Sequence, residues 1–234
     1  MERKDYLINM KKEIVIAAYD KDLHWLSRLN SDVKKTIYRK GNRSEDINEI
    51  YIENNKGRCV HTFFNHIFEN YNNLSDVTYF AQDYPFDHWE NIIEIINDIP
   101  TIQKEQLKIG GYCGYHWNSI QTPSSSGGIM WELYPSIHHG NGNILSCDSK
   151  GHPHASADFH IDADKYWNLF FNNKPPNFYE FIPGGHFSIT KEHAHLRTRD
   201  FYKKVVDFLI DYEFAPWIVE RLECYIFNPK YSTI

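Results

Sequence analysis

Three short apolar runs, each leading into a polar turn and then into residues at helical spacing, constrain this chain more than any other feature. Glu13 to Tyr19 (EIVIAAY) is β-branched and bounded by charge, the pattern of a strand buried on both faces. Asp20-Lys21-Asp22 follow as an acidic turn, and Leu23, Trp25, Leu26 and Leu29 then lie on one face of a short helix. Val33 to Tyr38 predicts a second strand, closed by Lys40-Gly41. After a polar loop, Phe63, Phe64, Ile67, Phe68 and Tyr71 share a helical face, and Asp76 to Gln82 (DVTYFAQ) predicts a third buried strand. Alternating strand and helix implies an α/β fold with a mostly parallel sheet and helices on both faces. Ligands of such sheets bind beyond the carboxyl ends of the strands, which puts Tyr19–Asp22, Arg39–Arg43 and Asp83–His88 on one rim.

The second half is less regular. Trp89 to Ile99 predicts a helix ended by Pro100, and Gly110 to Pro176 reads as a long irregular insertion with a short helix near Asp164–Phe171. Glu180 to Thr190 (EFIPGGHFSIT) predicts a strand pair or a glycine-broken strand. Helices follow at Lys191–Leu196, Asp200–Tyr212 and, after Ala215-Pro216-Trp217, Ile218–Phe227. Residues 1–12 read as an N-terminal extension and 13–234 as a single domain.

Composition narrows the partners. The formal charge is −6 without a basic run, which argues against nucleic acid. No stretch reaches the roughly 18 to 20 apolar residues of a membrane span, and the polar opening MERKDYLINMKKE does not read as a secretory signal, so a cytoplasmic location is expected. Cys59, Cys113, Cys147 and Cys224 form no C-x-x-C pair and read as reduced structural thiols. The glycine-rich loops of P-loop and dinucleotide enzymes and the G-x-S-x-G elbow are all missing. An aromatic fraction of 16% is explained for the most part by buried rings, although a saccharide cleft built from Trp117, Trp131 and Trp167 would also favour flat apolar faces.

Several groups can carry chemistry. Asp83, Asp87 and His88 leave the third strand together; hard oxygen ligands at a strand end suit Mg or Mn bridging two phosphates, whereas a helix cap before Trp89 is the bland alternative. Asp162-Ala163-Asp164 is a literal D-x-D and, with His160, also an H-x-D that an Fe(II)/2-oxoglutarate oxygenase would complete with His186 or His195. His138, His139, His152, His154 and His193 show no zinc spacing and read as solvated loop groups. Glu220-Arg221 opens the last helix, where an acid is favoured by the dipole and, facing a cleft, can serve as a general base.

One set of residues resembles a known signature. Gly57-Arg58, His61-Thr62, His66-Ile67, Asn70-Tyr71, Leu74, Asp76-Val77-Thr78, Phe80, Gln82 and Pro85-Phe86-Asp87-His88 look like an uncharacterised domain-of-unknown-function family of fungal and microbial genomes, grouped with GT-A-like glycosyltransferases. Ala17, Tyr19, Asp22-Leu23, Trp25-Leu26, Pro183-Gly184-Gly185, Phe187-Ser188-Ile189, Pro216-Trp217 and Glu220-Arg221-Leu222 extend the likeness over nearly the whole chain. The resemblance implies a GT-A-like fold and transfer of a sugar from a nucleotide-diphosphate donor to a saccharide or other hydroxyl acceptor. It implies Tyr19, Asp22 and Gln82 at the nucleotide, and Asp83, Asp87 and His88 at a divalent metal. Gly184, Gly185, His186 and Trp217 fall on the acceptor side, and Glu220, with Asp87, at the chemistry. The D-x-D usual in such a layout is absent after the third strand, so Arg39, Lys40 or Arg58 stands as the alternative neutraliser of the diphosphate. A non-catalytic saccharide-binding protein and the iron oxygenase are the competing expectations.

Overall fold

The structure is a computed structural model that describes residues 10–41, 49–52, 55–97, 106–115, 120–123, 163–176, 178–182 and 184–231. His160, Asp162, Trp117, Trp131 and the four histidines between 138 and 154 lie outside the described residues.

The first half builds β1 (Lys12–Ala18), β2 (Lys34–Arg39), β3 (Glu49–Tyr51), helix α1 (Arg58–Glu69) and β4 (Val77–Gln82). Helix α2 (Ile92–Asn97) follows, then the short strands β5 (Gln106–Ile109), β6 (Tyr112–Tyr115) and β7 (Ile120–Pro123). The remainder supplies α3 (Ala163–Phe170), β8 (Phe178–Phe181), β9 (Phe187–Thr190), α4 (Lys191–Ala194), α5 (Arg199–Asp211) and α6 (Ala215–Ile226). Seven strands form one sheet in the order β3-β2-β1-β4-β9-β6-β5, and β7 pairs with β8 in a separate ribbon.

The fold is α/β, but the sheet is mixed rather than mostly parallel. β3, β2, β1 and β4 run parallel, whereas β9 is antiparallel to β4 and β6, and β6 to β5. The difference comes from β5, β6 and β9, each four residues long. A glycine turn at Gly110-Gly111 folds β5 onto β6, inside the stretch whose lack of periodicity suggested an irregular insertion. The strand pair expected around the double glycine is real but divided, β8 joining the ribbon and β9 the main sheet.

Strand alternation sends β1 into two cores. Val15 and Ala17 join Phe63, Phe64, Phe80, Phe187, Tyr202 and Leu222 on the face covered by α1, α5 and α6. Ile14, Ile16 and Ala18 join Trp25, Leu26, Trp89, Ile92 and Ile96 on the other. Ring packing is dense in both: Phe64 stacks on Phe227 with centroids 5.9 Å apart, and Trp89 lies flat on Tyr115 at 3.7 Å. Trp167 is fully buried in the first core, which removes it from any open saccharide cleft.

The strand order positions the site. β2 lies on one side of β1 and β4 on the other, so the chain reverses direction across the sheet between β1 and β4. A crevice opens at the carboxyl ends of strands at such a switch point.

Candidate functional site

Asp83 stands directly after β4 and laces the strand-end turns at this switch point together. Its Oδ2 accepts the backbone N–H groups of Tyr19, Asp20 and Lys21 at 2.9, 3.1 and 3.0 Å, and its Oδ1 accepts that of Tyr84 at 3.1 Å. The Trp25 indole donates to the Asp83 carbonyl at 2.9 Å. Arg39 Nη1 reaches the Tyr19 carbonyl at 3.5 Å, and the Lys40 amide donates to Ala18 O at 2.8 Å. A Cβ at Gly41 would sit 2.2 Å from the Tyr19 oxygen, so only glycine lets the two turns approach this closely. The turns after β1, β2 and β4 are therefore one joined rim.

This arrangement defines what Asp83 does. Four amide donors occupy its carboxylate, a charge-assisted set that holds a turn. Asp87 is exposed on the 3₁₀ turn Pro85–Asp87, and His88 packs under Gly184, where a Cβ would meet its ring at 3.0 Å. Among the described residues no three His, Cys, Asp or Glu side chains come together to hold a metal ion. The set Asp83, Asp87 and His88 does not fit a bridging Mg or Mn.

A second group gathers beside the rim, where the start of α1, the end of β4, the β8–β9 loop and the first turns of α6 meet. Gln82 Nε2 donates to the Gly184 carbonyl at 3.1 Å and lies 3.5 Å from Cys59 Sγ. The Gly184 amide donates to Glu220 Oε1 at 2.7 Å. That loop turns back on itself through left-handed φ values of 86° at Gly184 and 64° at Gly185, a conformation open to glycine. Arg58 lays its guanidinium over the Trp217 ring, 4.6 Å from the centroid, and that guanidinium makes no hydrogen bond or ion pair among the described residues. Its own φ of 51° is unusual for a residue with a side chain, and it begins a helix whose first turn has no side-chain cap.

Charge in this group is tuned by burial. Glu220 is 8% exposed, and the loss of water pushes its carboxyl up to about 7 against the opposing pull of Arg221, the Gly184 amide and Arg58. Arg221 Nη1 lies 3.9 Å from Glu220 Oε2 while donating to the Trp217 carbonyl. Glu223, one turn on, is buried and accepts the Tyr112 hydroxyl at 2.8 Å, and desolvation pushes its carboxyl well above the usual carboxylate range. Lys40 donates its ammonium to the Lys56 and Arg58 carbonyls at 2.9 and 2.6 Å, and burial lowers it to about 8. Cys59 is pushed up to about 11 by burial and Glu220, so its thiol stays protonated and is a poor nucleophile.

The structure thus brings Arg58, Gln82, Gly184 and Glu220 into one bonded or electrostatically coupled group, with Trp217 under Arg58 and Gly185, His186 and His88 alongside. Lys40 braces it from below. Tyr19 belongs to the rim through its backbone, Asp22 is spent on the His24 amide at 2.8 Å, and Arg39 is clamped by Glu49 at 2.6 and 2.9 Å. His195 bonds the Tyr71 carbonyl and His186 is fully buried against His88. Sequence reasoning missed Tyr84, 48% exposed on the rim, whereas Cys59, read as a reduced structural thiol, is a free and protonated one. The position of Tyr84 between Asp83 and Pro85 was visible, but one loop tyrosine carries no signal by itself.

Comparison with known proteins gives one family, described as "Protein of unknown function (DUF3431)", which matches residues 14–232. No curated protein and no solved structure matches the chain. Among the described residues no helix is long and apolar enough to cross a membrane.

Proposed function

The chain belongs to the DUF3431 family, and we propose that it is a glycosyltransferase moving a sugar from a nucleoside-diphosphate donor to the hydroxyl of a saccharide or similar acceptor. The observation that carries this reading is Glu220: a buried carboxylate poised near neutrality, oriented by the Gly184 amide and coupled to the Arg58 guanidinium, at the carboxyl edge of a parallel strand set. A base with that affinity for protons suits abstraction from an alcohol at working pH. The GT-A-like arrangement of the resemblance is part of the same proposal.

In this reading Glu220 takes the proton of the acceptor hydroxyl as its oxygen bonds the anomeric carbon. The bond from that carbon to the diphosphate oxygen breaks, and the nucleoside diphosphate leaves with the electron pair. Attack opposite the leaving group inverts the anomeric centre. Arg58, preorganised on Trp217, and the uncapped first-turn amides of α1 receive the charge developing on the diphosphate. The proposed steps involve no metal, the Asp83 carboxylate being occupied by backbone amides. Lys40 holds the α1 start in place and does not touch the donor.

Calorimetry with a set of nucleoside diphosphates and their sugars tests this. Wild type should bind at least one, and Arg58→Ala should weaken that binding about ten- to a hundred-fold through loss of a charged hydrogen-bond donor. A wild-type protein that binds none of them overturns the reading.

A further inference from the structure

We propose that Tyr84 is the platform on which the base of the bound nucleotide stacks. The inference rests on the nucleotide reading above and adds the half of the ligand that Arg58 and Glu220 do not address. Large apolar side chains on a protein surface are ordinary when scattered, but this one is placed at the switch point, where ligands of such sheets lie. Tyr84 is 48% exposed although the residues before and after it, Asp83 and Pro85, are buried.

The ring is also held still. Its amide is anchored to Asp83 Oδ1 at 3.1 Å, and Asp83 is tied to three amides of the β1 turn. Phe86 meets the Tyr84 ring edge to face at 5.3 Å, and Trp25, buried below, meets Phe86 in the same way at 5.5 Å. An exposed aromatic side chain with so little freedom loses little entropy when a flat ligand settles on it. The Tyr84 hydroxyl makes no hydrogen bond among the described residues, so the internal structure does not require a tyrosine here. Four residues on, His88 packs under Gly184, whose amide holds Glu220. A nucleotide with its base on Tyr84 therefore has its phosphates directed along the rim toward the β8–β9 loop and Arg58.

The test separates base from phosphate. Binding of UDP, GDP and ADP, and of inorganic pyrophosphate as a base-free probe, is measured by calorimetry for wild type, Tyr84→Ala and Tyr84→Trp. Removing a base–aromatic stack costs about ten-fold or more in affinity. The expected result is that loss for the preferred nucleotide in Tyr84→Ala, unchanged pyrophosphate binding, and recovery in Tyr84→Trp. Nucleotide binding by Tyr84→Ala equal to wild type overturns the platform and leaves the transferase reading intact. An equal loss of nucleotide and pyrophosphate also overturns it, by showing that Tyr84 only shapes the rim. Absence of nucleotide binding by wild type overturns both.

Discussion

Glu220 shows how a single side chain sets opposite demands on stability and activity. Its carboxyl is raised from the ordinary range near 4.5 to about 7 in the folded protein, with burial as the main cause. A raised carboxyl contributes stability that is fully present below about 4.5 and is lost as pH rises through about 7, because the folded chain keeps a proton that the unfolded chain releases. The loss amounts to about 3 kcal/mol. Glu220→Gln keeps an acceptor for the Gly184 amide and has no proton to lose. It should unfold at higher urea than wild type at pH 8, match it near pH 4, and lose about 10²- to 10⁴-fold in turnover. Urea melts at the two pH values, with a steady-state assay, check both halves; equal melts at pH 8 would show that Glu220 is charged and well solvated. The residue was legible in sequence as an acid opening a helix, but the desolvation that tunes it depends on neighbours from the rest of the chain.

At the scale of elements, the rim depends on a carboxylate serving as a lock between strand ends. Asp83→Asn replaces an oxygen anion facing three amides of the β1 turn with a neutral amide that cannot satisfy them all. A cost of about 1–3 kcal/mol is expected, with faster hydrogen exchange confined to residues 19–21 and 84. Unchanged exchange there would contradict the lock. The same aspartate illustrates the limit of motif reading, since a strand-end acid looks alike whether it faces a metal or backbone amides. β1 and β4 were readable because each is a largely apolar run closed by a polar turn, and β2 because its β-branched and aromatic residues stop at Lys40-Gly41. The β5–β6 hairpin was not, because its register comes from pairing with β9, about eighty residues away, and four residues are too few for a period.

Across the whole molecule, burial of neutral histidines opposes the effect of Glu220. His61 is 7% exposed, its ring nitrogens have no hydrogen-bond partner among the described residues, and burial together with Lys40 lowers it to about 4. A lowered histidine contributes stability that is present above its unfolded value near 6.5 and is lost as pH falls toward 4, since the unfolded chain takes up the proton first. His66, on the same helix and also lowered by burial, acts in the same direction. The protein should lose stability below about pH 6, more steeply in Glu220→Gln and less steeply in His61→Leu. Denaturant titrations from pH 4 to 8 read both slopes, and a flat profile in all three proteins would contradict the burial assigned to these groups.

Although β3 lies in what reads as a polar loop, local patterns were enough to determine the other three of the four parallel strands, β1, β2 and β4, with the helix faces and the rim on which polar turns leave those strands. Each of these depends on residue order within about ten positions, through side-chain alternation and helical spacing. Tertiary structure alone decided that Asp83 binds amides, that Arg58 lies on Trp217, that Trp167 is core, and that Glu220 carries its proton close to neutrality. Those outcomes depend on distance and exclusion of water between segments far apart in the chain, and no short stretch of sequence encodes either quantity.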